Sequence, residues 1–570
     1  MISVESIIEQ RFPGIIQYRP LVGKSLISLL RFLCHEREFK DFEETYPHLD
    51  GFEFVEQVLN YFDFSYRVKS NEVERIPAKG RVIIVANHPI GSLDGLALLK
   101  MVGDIRPDVK AVANQMLYAI EPLRSLLLPV NNMKGHSGRE QLRAINEQLD
   151  NEGVVIIFPA GEVSRFGPSG IKDGRWNSGF LRFANSRKVP VLPMFIDGRN
   201  SLFFYSLSLL AKPISTFWLI REMFKQAKNH VDISVGNLVY PEQYLQMDLK
   251  PDAIAKLLKK HVYRLPRRNK KPLDFIPEYE AVAHPENRQQ LRKEIKLCEV
   301  LGETADSKII YLYQHKKNSS IMREIGRLRE MTFRSVKEGT GRRRDTDQYD
   351  LYYDHIVLWD DQELEIVGAY RMARSAKVMS QQGEKALYTQ TLFNFNAGFY
   401  PIFEQGLELG RSFVQTRYWG NRSLDYLWHG IGAYLNKYPE VRYLFGPVSI
   451  SHDYPEQVKD LLIDFYSLHF GGCVELAEAK VPYRSKSDAS SPFAGEDYTS
   501  EFKQLKKMIS EWGLSVPTLY KQYTQLCEPG GAEFIAFNVD SDFANCVDGL
   551  IVVDLTKIKA DKRKRYLAKY

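Results

Sequence analysis

Cysteine is scarce: the 570 residues hold only 5, at Cys34, Cys298, Cys473, Cys527 and Cys546, with no CxxC or Cys/His ligand spacing among them. An odd, scattered set argues against a disulfide framework or a zinc site and fits a reducing compartment, so no metal is expected. Long apolar runs are also missing. No window reaches the roughly 18 uncharged apolar residues of a membrane-crossing helix, and the nearest, SLFFYSLSLLAKPISTFWLI at 201–220, is divided by Lys212 and Pro213. Its aromatic content suits an interfacial segment, and a buried core element fits it equally. The amino terminus, MISVESIIEQ, lacks the basic-then-apolar order of a secretory signal. The formal net charge is only +6, which excludes a strongly basic nucleic-acid binder, and there is no internal repeat or low-complexity tract.

The cations present are unevenly placed. Residues 256–271 carry eight (Lys256, Lys259, Lys260, Arg264, Arg267, Arg268, Lys270, Lys271) and no acid, and the last fourteen residues carry seven against Asp561. Such blocks fit an anionic lipid surface, at about 1 kcal/mol per cation close to the membrane. A solvated linker and tail fit them as well.

At 44% apolar and 26% charged the chain is of ordinary globular composition, and its length calls for more than one core. Residues 1–75 read as a helical, candidate membrane-associating region, with Leu26, Leu29, Leu30 and Leu33 on one face. Over 76–272, apolar runs (82–86, 109–113, 126–130, 154–158, 191–196, 231–235) alternate with helical stretches, one bearing Leu142, Ile145 and Leu149 on a single face. That is the pattern of a buried α/β sheet. A charged, proline-containing linker is expected at 273–306, and a second α/β domain at 307–570. Within the latter the pattern predicts a helix over 319–336, strands at 352–359, 364–373, 408–414 and 443–450, and a helix from about Ser423.

The first domain contains His88 at a strand end and Asp94 at the start of an apolar helix, in VANHPIGSLDG. A hydroxyl is a poor nucleophile at neutral pH, so acyl transfer to it needs a base and a group that orients the base. His88 as base and Asp94 as orienter fit, as do a loop histidine and a helix-capping aspartate. These residues, with Phe158-Pro-Ala-Gly-Glu-Val-Ser-Arg165 and Pro190-Val-Leu-Pro193, resemble the signature blocks of the glycerolipid O-acyltransferases. Five residues separate His88 from Asp94 where that family usually has four, which resembles its haemolysin-like branch; Gly91 is placed to absorb the extra residue. Acceptor-binding candidates are Glu162 and Arg165, which a local ion pair would also explain, and Lys134 and Arg139 after a strand end, which a solvated basic loop would also explain.

Residues 323–450 carry REIGRLREMTF, the acidic run Asp345-Thr-Asp347-Gln-Tyr-Asp350, Asp354-His355, Gly368-Ala-Tyr-Arg371 and Glu408-Leu-Gly-Arg411. This resembles the amine N-acyltransferases of the acetyltransferase (GNAT) superfamily, in the branch of acyl-homoserine-lactone synthases and ornithine-lipid N-acyltransferases. An amino-acid acceptor brings an ammonium and a carboxylate, so Asp345, Asp347 and Asp350 are candidates for the first, and Arg371 and Arg411 for the second or a carrier phosphate. Glu408 is the candidate base. A Glu408–Arg411 ion pair and a solvated aspartate loop are the plain alternatives. The helix from Ser423, preceded by Arg417 and Arg422, is a candidate phosphate site.

An O-acyltransferase-like α/β domain followed by a GNAT-like α/β domain resembles the bifunctional ornithine-lipid synthases. That resemblance implies N-acylation of an amino acid, ornithine favoured, by a 3-hydroxyacyl thioester, then O-acylation of the new hydroxyl. It implies acyl carrier protein or coenzyme A thioesters as donors, no resident cofactor, a lyso-lipid acceptor, and a cytoplasmic location at the inner face of the membrane. Phospholipid remodelling by two unrelated activities and a non-enzymatic haemolysin-like membrane binder are the rivals.

Overall fold

The computed structural model describes residues 31, 35–118, 120–130, 139–167, 170–210, 212–267, 275–485 and 491–567. It comprises two compact units, 1–283 and 284–570, each with its own sheet and core. The segment 273–306, expected as a linker, is shared between them. Ile276, Ala281 and Ala283 are buried in the first unit, where Leu238 and Tyr279 form a β-bridge. Arg288–Ile295 is a helix of the second unit with Leu291 and Ile295 buried. Its prolines and charges mark turns, but the apolar residues between them found cores to enter.

The first unit is built on strands β1 (Ser65–Val68), β2 (Val82–Ala86), β3 (Lys110–Asn114), β4 (Leu127–Val130), β5 (Val154–Ile157), β6 (Val191–Asp197) and β7 (His230–Val235), in the order β1-β7-β6-β2-β5-β3-β4. The central strands β6, β2, β5, β3 and β4 are parallel, and β7 runs antiparallel to β6. Strand side chains alternate between faces, and here both faces are covered: Val82, Ile84 and Ala86 enter one core cluster, Ile83 and Val85 the other. Complete burial of such a side chain contributes about 1.5–3 kcal/mol, which is why these short runs could be read as strands.

Leu26, Leu29, Leu30 and Leu33 lie outside the described residues; further along, the helices Glu36–Thr45 and Gly51–Tyr61 precede β1. The short β1 was not foreseen, because its alternating burial is too shallow to stand out from the helical pattern around it. Residues 202–210 and 212–225 form two helices, with Leu202 and Phe203 exposed while Phe204 and Tyr205 pack against Val163. Of the cationic block, Lys256, Lys259 and Lys260 belong to the amphipathic helix Pro251–Val262, whose Ile254, Ala255, Leu258 and Val262 are buried, so this part is a domain element and not a linker; Arg268, Lys270 and Lys271 lie outside the described residues. Likewise, Ala560–Tyr566 is a helix, with Tyr566 buried and Arg565 paired to Asp425. Among the described residues no helix is long and apolar enough to cross a membrane.

The second unit has an eight-stranded sheet of β8 (Glu299–Glu303), β9 (Ile309–Gln314), β10 (Asp354–Asp360), β11 (Glu365–Arg374), β12 (Gly406–Val414), β13 (Tyr443–Ile450), β14 (Ala532–Asp540) and β15 (Cys546–Asp554), ordered β8-β9-β10-β11-β12-β13-β15-β14. Ile310, Leu312, Ile356 and Leu358 pack on one face, and Tyr311, Tyr313, Val357 and Trp359 on the other. The joint between β12 and β13 positions the site. These strands are parallel but pair only from Gly406 to Glu408 with Tyr443 to Phe445, and then part. At Gly446 a Cβ would lie 2.0 Å from the Leu409 carbonyl oxygen, so the approach of the two strands at the split admits only glycine.

Candidate active sites

In the first unit the chain leaves β2 through Asn87, whose side chain both donates to and accepts from the Ile196 backbone at 2.8 Å. His88 and the turn to helix α1 (Leu93–Gly103) follow. The Asp94 side chain is fully buried on α1. Its Oδ2 accepts from the Ile90 N–H (2.9 Å) and faces His88 Nδ1 at 3.1 Å, and its Oδ1 accepts from the N–H groups of Gly91, Ser92 and Gly95, each at 3.0 Å. Burial opposes ionisation, but His88 and the backbone amides outweigh it and hold the Asp94 carboxyl below the usual carboxylate range. Burial also disfavours the imidazolium, yet Asp94 and then Asp173 raise His88 above the ordinary imidazole value. Nδ1–H donation to Asp94 leaves Nε2 without a partner among the described residues, on a side chain 17% exposed. That is the tautomer able to take a hydroxyl proton.

The five-residue spacing is accommodated where expected: Gly91 has φ +99°, and a Cβ there would lie 2.3 Å from Val163 Cγ1. Glu162 and Arg165 pair with each other at 3.2 Å, the simpler of their two readings, while Arg165 also lies 5.9 Å from the Phe204 ring. Between them Ser164 donates its N–H to the His88 carbonyl at 2.8 Å, which lays this block against the His88 turn. Phe158 stacks on the His88 ring at 4.3 Å. Lys134 lies outside the described residues, as does the side chain of Arg139, which opens the helix Arg139–Asp150. Asp173 was not foreseen, since it reaches His88 from a polar stretch (IKDGRW) with no apolar periodicity.

In the second unit Glu408 is the last paired residue before the split. It is buried, accepting from the Thr389 N–H at 2.6 Å through Oε1 and from the Tyr353 hydroxyl through Oε2. Burial pushes its carboxyl above the usual range. Glu408 and Arg411 make no ion pair with each other. β12 carries a register shift opposite Ala369 and Arg371, and Arg411 has φ +49°, a left-handed conformation that a β-strand residue other than glycine rarely holds. The bulge sends Arg411 instead toward Asp345 (3.8 Å), Asp347 (3.9 Å) and the hydroxyl of Tyr388 (3.4 Å).

The aspartate run is no solvated loop. Asp350 is buried and bridges Arg329 (2.7 and 2.9 Å) to Arg371 (3.1 Å), and Arg371 also donates to Asp347 at 2.6 Å. Asp345 Oδ2, Asp347 Oδ2 and Arg371 Nη2 are buried without hydrogen-bond partners, although Asp345 Oδ2 lies 3.4 Å from Arg329 Nε in an ion pair. Burial drives His355, beside Asp350, down to about 3, so it is neutral here. Beyond Arg411, burial together with Asp540 and Glu338 pushes Asp548 up to about 8. Arg417 pairs with Glu363 and Glu365, and Arg422 with Asp425, so both arginines ahead of the helix Ser423–Lys437 are held by local acids. Tyr353, Thr389, Arg329 and Asp548 escaped the sequence reading because each meets the site only through the fold.

The Acyltransferase family matches residues 7–265, and the Acetyltransferase (GNAT) domain matches residues 328–429, a span holding Arg329, the three aspartates, Arg371, Glu408 and Arg411. The chain is 30% identical over 304 residues to a glycine N(alpha)-acyltransferase of Bacteroides thetaiotaomicron, across 50% of this chain and 90% of that protein. It is 27% identical over 272 residues to a lyso-glycine lipid O-acyltransferase of Phocaeicola vulgatus, across 46% of this chain and 95% of that one. An L-ornithine N(alpha)-acyltransferase of Brucella abortus is 30% identical over 137 residues, 21% of this chain and 47% of its own. The chain belongs to the acyltransferases, an enzyme in which an Acyltransferase-family domain is followed by a GNAT acetyltransferase domain.

Proposed function

We propose that this chain makes a diacylated aminolipid by two successive acyl transfers from thioesters of acyl carrier protein or coenzyme A. In the GNAT unit the amine of an amino acid attacks the thioester carbonyl of a 3-hydroxyacyl donor. The C–N bond forms, Glu408 takes the amine proton, and the C–S bond breaks to release thiolate. In the first unit the 3-hydroxyl attacks a second thioester, its proton passing to His88 Nε2 and then to the leaving sulfur. What supports this reading is that each unit holds a candidate base in a distinct setting: His88, whose Nε2 has no partner among the described residues, and Glu408 at the strand split.

Glycine is the acceptor we favour. The relatives named for glycine and lyso-glycine lipid are each spanned almost entirely, whereas the ornithine enzyme of Brucella abortus is spanned over less than half. The array of Asp345, Asp347, Asp350, Arg371 and Arg411 offers both charges that an α-amino acid presents, and ornithine remains the second reading on the strength of its relatives. With a lyso-lipid acceptor, the reading implies work at the inner face of the cytoplasmic membrane.

The test is lipid mass spectrometry of a host without aminolipids expressing wild type, His88→Ala and Arg411→Ala. Wild type yields the diacyl lipid, His88→Ala stops at the monoacyl form, and Arg411→Ala yields neither; the masses identify the amino acid. Diacyl lipid from His88→Ala would overturn the assignment of the first unit.

A further inference from the structure

A second buried carboxylate touches the His88 turn, at the His88 amide where Asp94 faces the ring. Asp173 follows the hairpin Arg165–Gly167/Gly170–Lys172. Its Oδ1 accepts from the His88 N–H at 3.3 Å and from the Ser164 hydroxyl at 2.5 Å, and its Oδ2 accepts from Trp176 Nε1 at 2.8 Å. The Asp173 backbone is held in turn: its N–H donates to the Tyr263 hydroxyl at 2.7 Å, and Lys259 donates to its carbonyl at 2.6 Å. His88, Ser164 and Trp176 therefore meet at the side chain of a residue that is 4% exposed, while Tyr263 and Lys259 hold its backbone.

We propose that Asp173 is a positioning residue for His88, one carboxylate oxygen tying the His88 amide to the Ser164 hydroxyl so that the base keeps its place over the Asp94 cage. The tie complements the Ser164 N–H bond to the His88 carbonyl, so His88 is held at both its amide and its carbonyl. A neutral donor could not do this, since all three groups facing the carboxylate donate; an anionic acceptor satisfies them together. Asp173 also acts on His88 through space, adding to Asp94 in favouring the imidazolium. The charged groups facing this pair are Asp94 on α1, Lys259 on its helix, and Lys172, whose ammonium lies 5.6 Å from the Tyr263 ring.

The proposal builds on the assignment of His88 as base, and its test separates the two. Histidine-detected NMR titration of His88 needs no substrate, whereas O-acylation of N-(3-hydroxyacyl)glycine by an acyl-coenzyme A reports on the base itself. In Asp173→Asn the His88 titration and the acid limb of the O-acylation profile move to lower pH, by a few tenths of a pH unit to about one. Ser164→Ala, which removes a donor and leaves the charge, moves both the other way or not at all. Both variants lower kcat more than they raise KM for the acyl acceptor, and both keep the far-UV circular dichroism of the parent. Equal loss of rate at every pH with an unmoved His88 titration would refute the proposal, as would wild-type kcat in Asp173→Asn. His88 titrations that shift as expected in an enzyme with no O-acylation would instead count against the proposed function alone.

Discussion

Replacing Asp94 by asparagine puts the His88–Asp94 pairing to its most direct test, because each oxygen of the carboxylate has a different job. Oδ1 accepts from three backbone N–H groups, those of Gly91, Ser92 and Gly95, and Oδ2 accepts from Ile90 and holds His88. The single oxygen of asparagine best serves the three amides, which turns its NH2 toward Ile90 N–H and His88 Nδ1. The Ile90 amide, in a buried residue, then faces another donor, at about 1–3 kcal/mol of lost stability. His88 must accept at Nδ1, which moves the proton to Nε2, where the incoming hydroxyl needs a vacant lone pair. With the wrong tautomer, kcat for O-acylation should fall roughly a thousand- to ten-thousand-fold, about 4–5 kcal/mol of transition-state stabilisation. The assay is O-acylation of N-(3-hydroxyacyl)glycine, with N-acylation by the same preparation as internal control. If Asp94→Asn kept O-acylation within about tenfold of wild type, the orienting role assigned to Asp94 would be wrong.

Three further substitutions probe the fold and the second site. Gly91→Ala should lower the melting temperature and O-acylation together, since its φ of +99° and the 2.3 Å approach to Val163 leave no room for a methyl group; a variant as stable as wild type would contradict the packing of this turn. Glu408→Gln keeps an oxygen for the Thr389 amide but cannot take a proton, so N-acylation should drop roughly a hundredfold or more with O-acylation of supplied lyso-lipid unchanged. Unaltered N-acylation would leave Glu408 a structural residue. The folded state holds the Asp548 proton up to about pH 8, far above the usual carboxylate value of about 3.9 in an unfolded chain. Its stabilising effect is therefore full below pH 4 or so and is lost as pH rises toward 8. Asp548→Asn should weaken that decline, so that its melting temperature relative to wild type rises between roughly pH 5 and 8; a constant difference across that range would show that the group does not titrate there.

Much of the fold was legible because its cause is local. All six apolar runs expected in the first unit became strands, since continuous apolar runs such as Val82 to Ala86 need cover on both faces, and the Leu142–Leu149 pattern became a helix. In the second unit the expected helix formed over Ser320–Ser335 through its apolar face, and the strands to Ile450 through their buried side chains. Position along the chain misled at 273–306, where charge and proline suggested a linker but Ile276, Leu291 and Ile295 are core residues. At Glu408 and Arg411, three residues apart on one strand, the plain alternative of a mutual ion pair falls away, because a bulge no propensity announces turns Arg411 aside.

The sequence by itself determined the chemistry on offer: a histidine and an aspartate around a glycine turn, and acids, arginines and a glutamate in the second half. Those are properties of residue type and spacing, and they survive any packing that brings the two ends of a short turn together. Tertiary structure alone decided which groups act on one another. Asp173 reaches the His88 amide from 85 residues away, and Tyr353 and Thr389 close over Glu408 from separate segments. The same holds for the aspartates, which could as well have been solvated until Arg329, Arg371 and Arg411 converged on them. Buried charge is stable only when paired or hydrogen-bonded, and the partners that satisfy it come from wherever the chain folds back, a relation that no local pattern records.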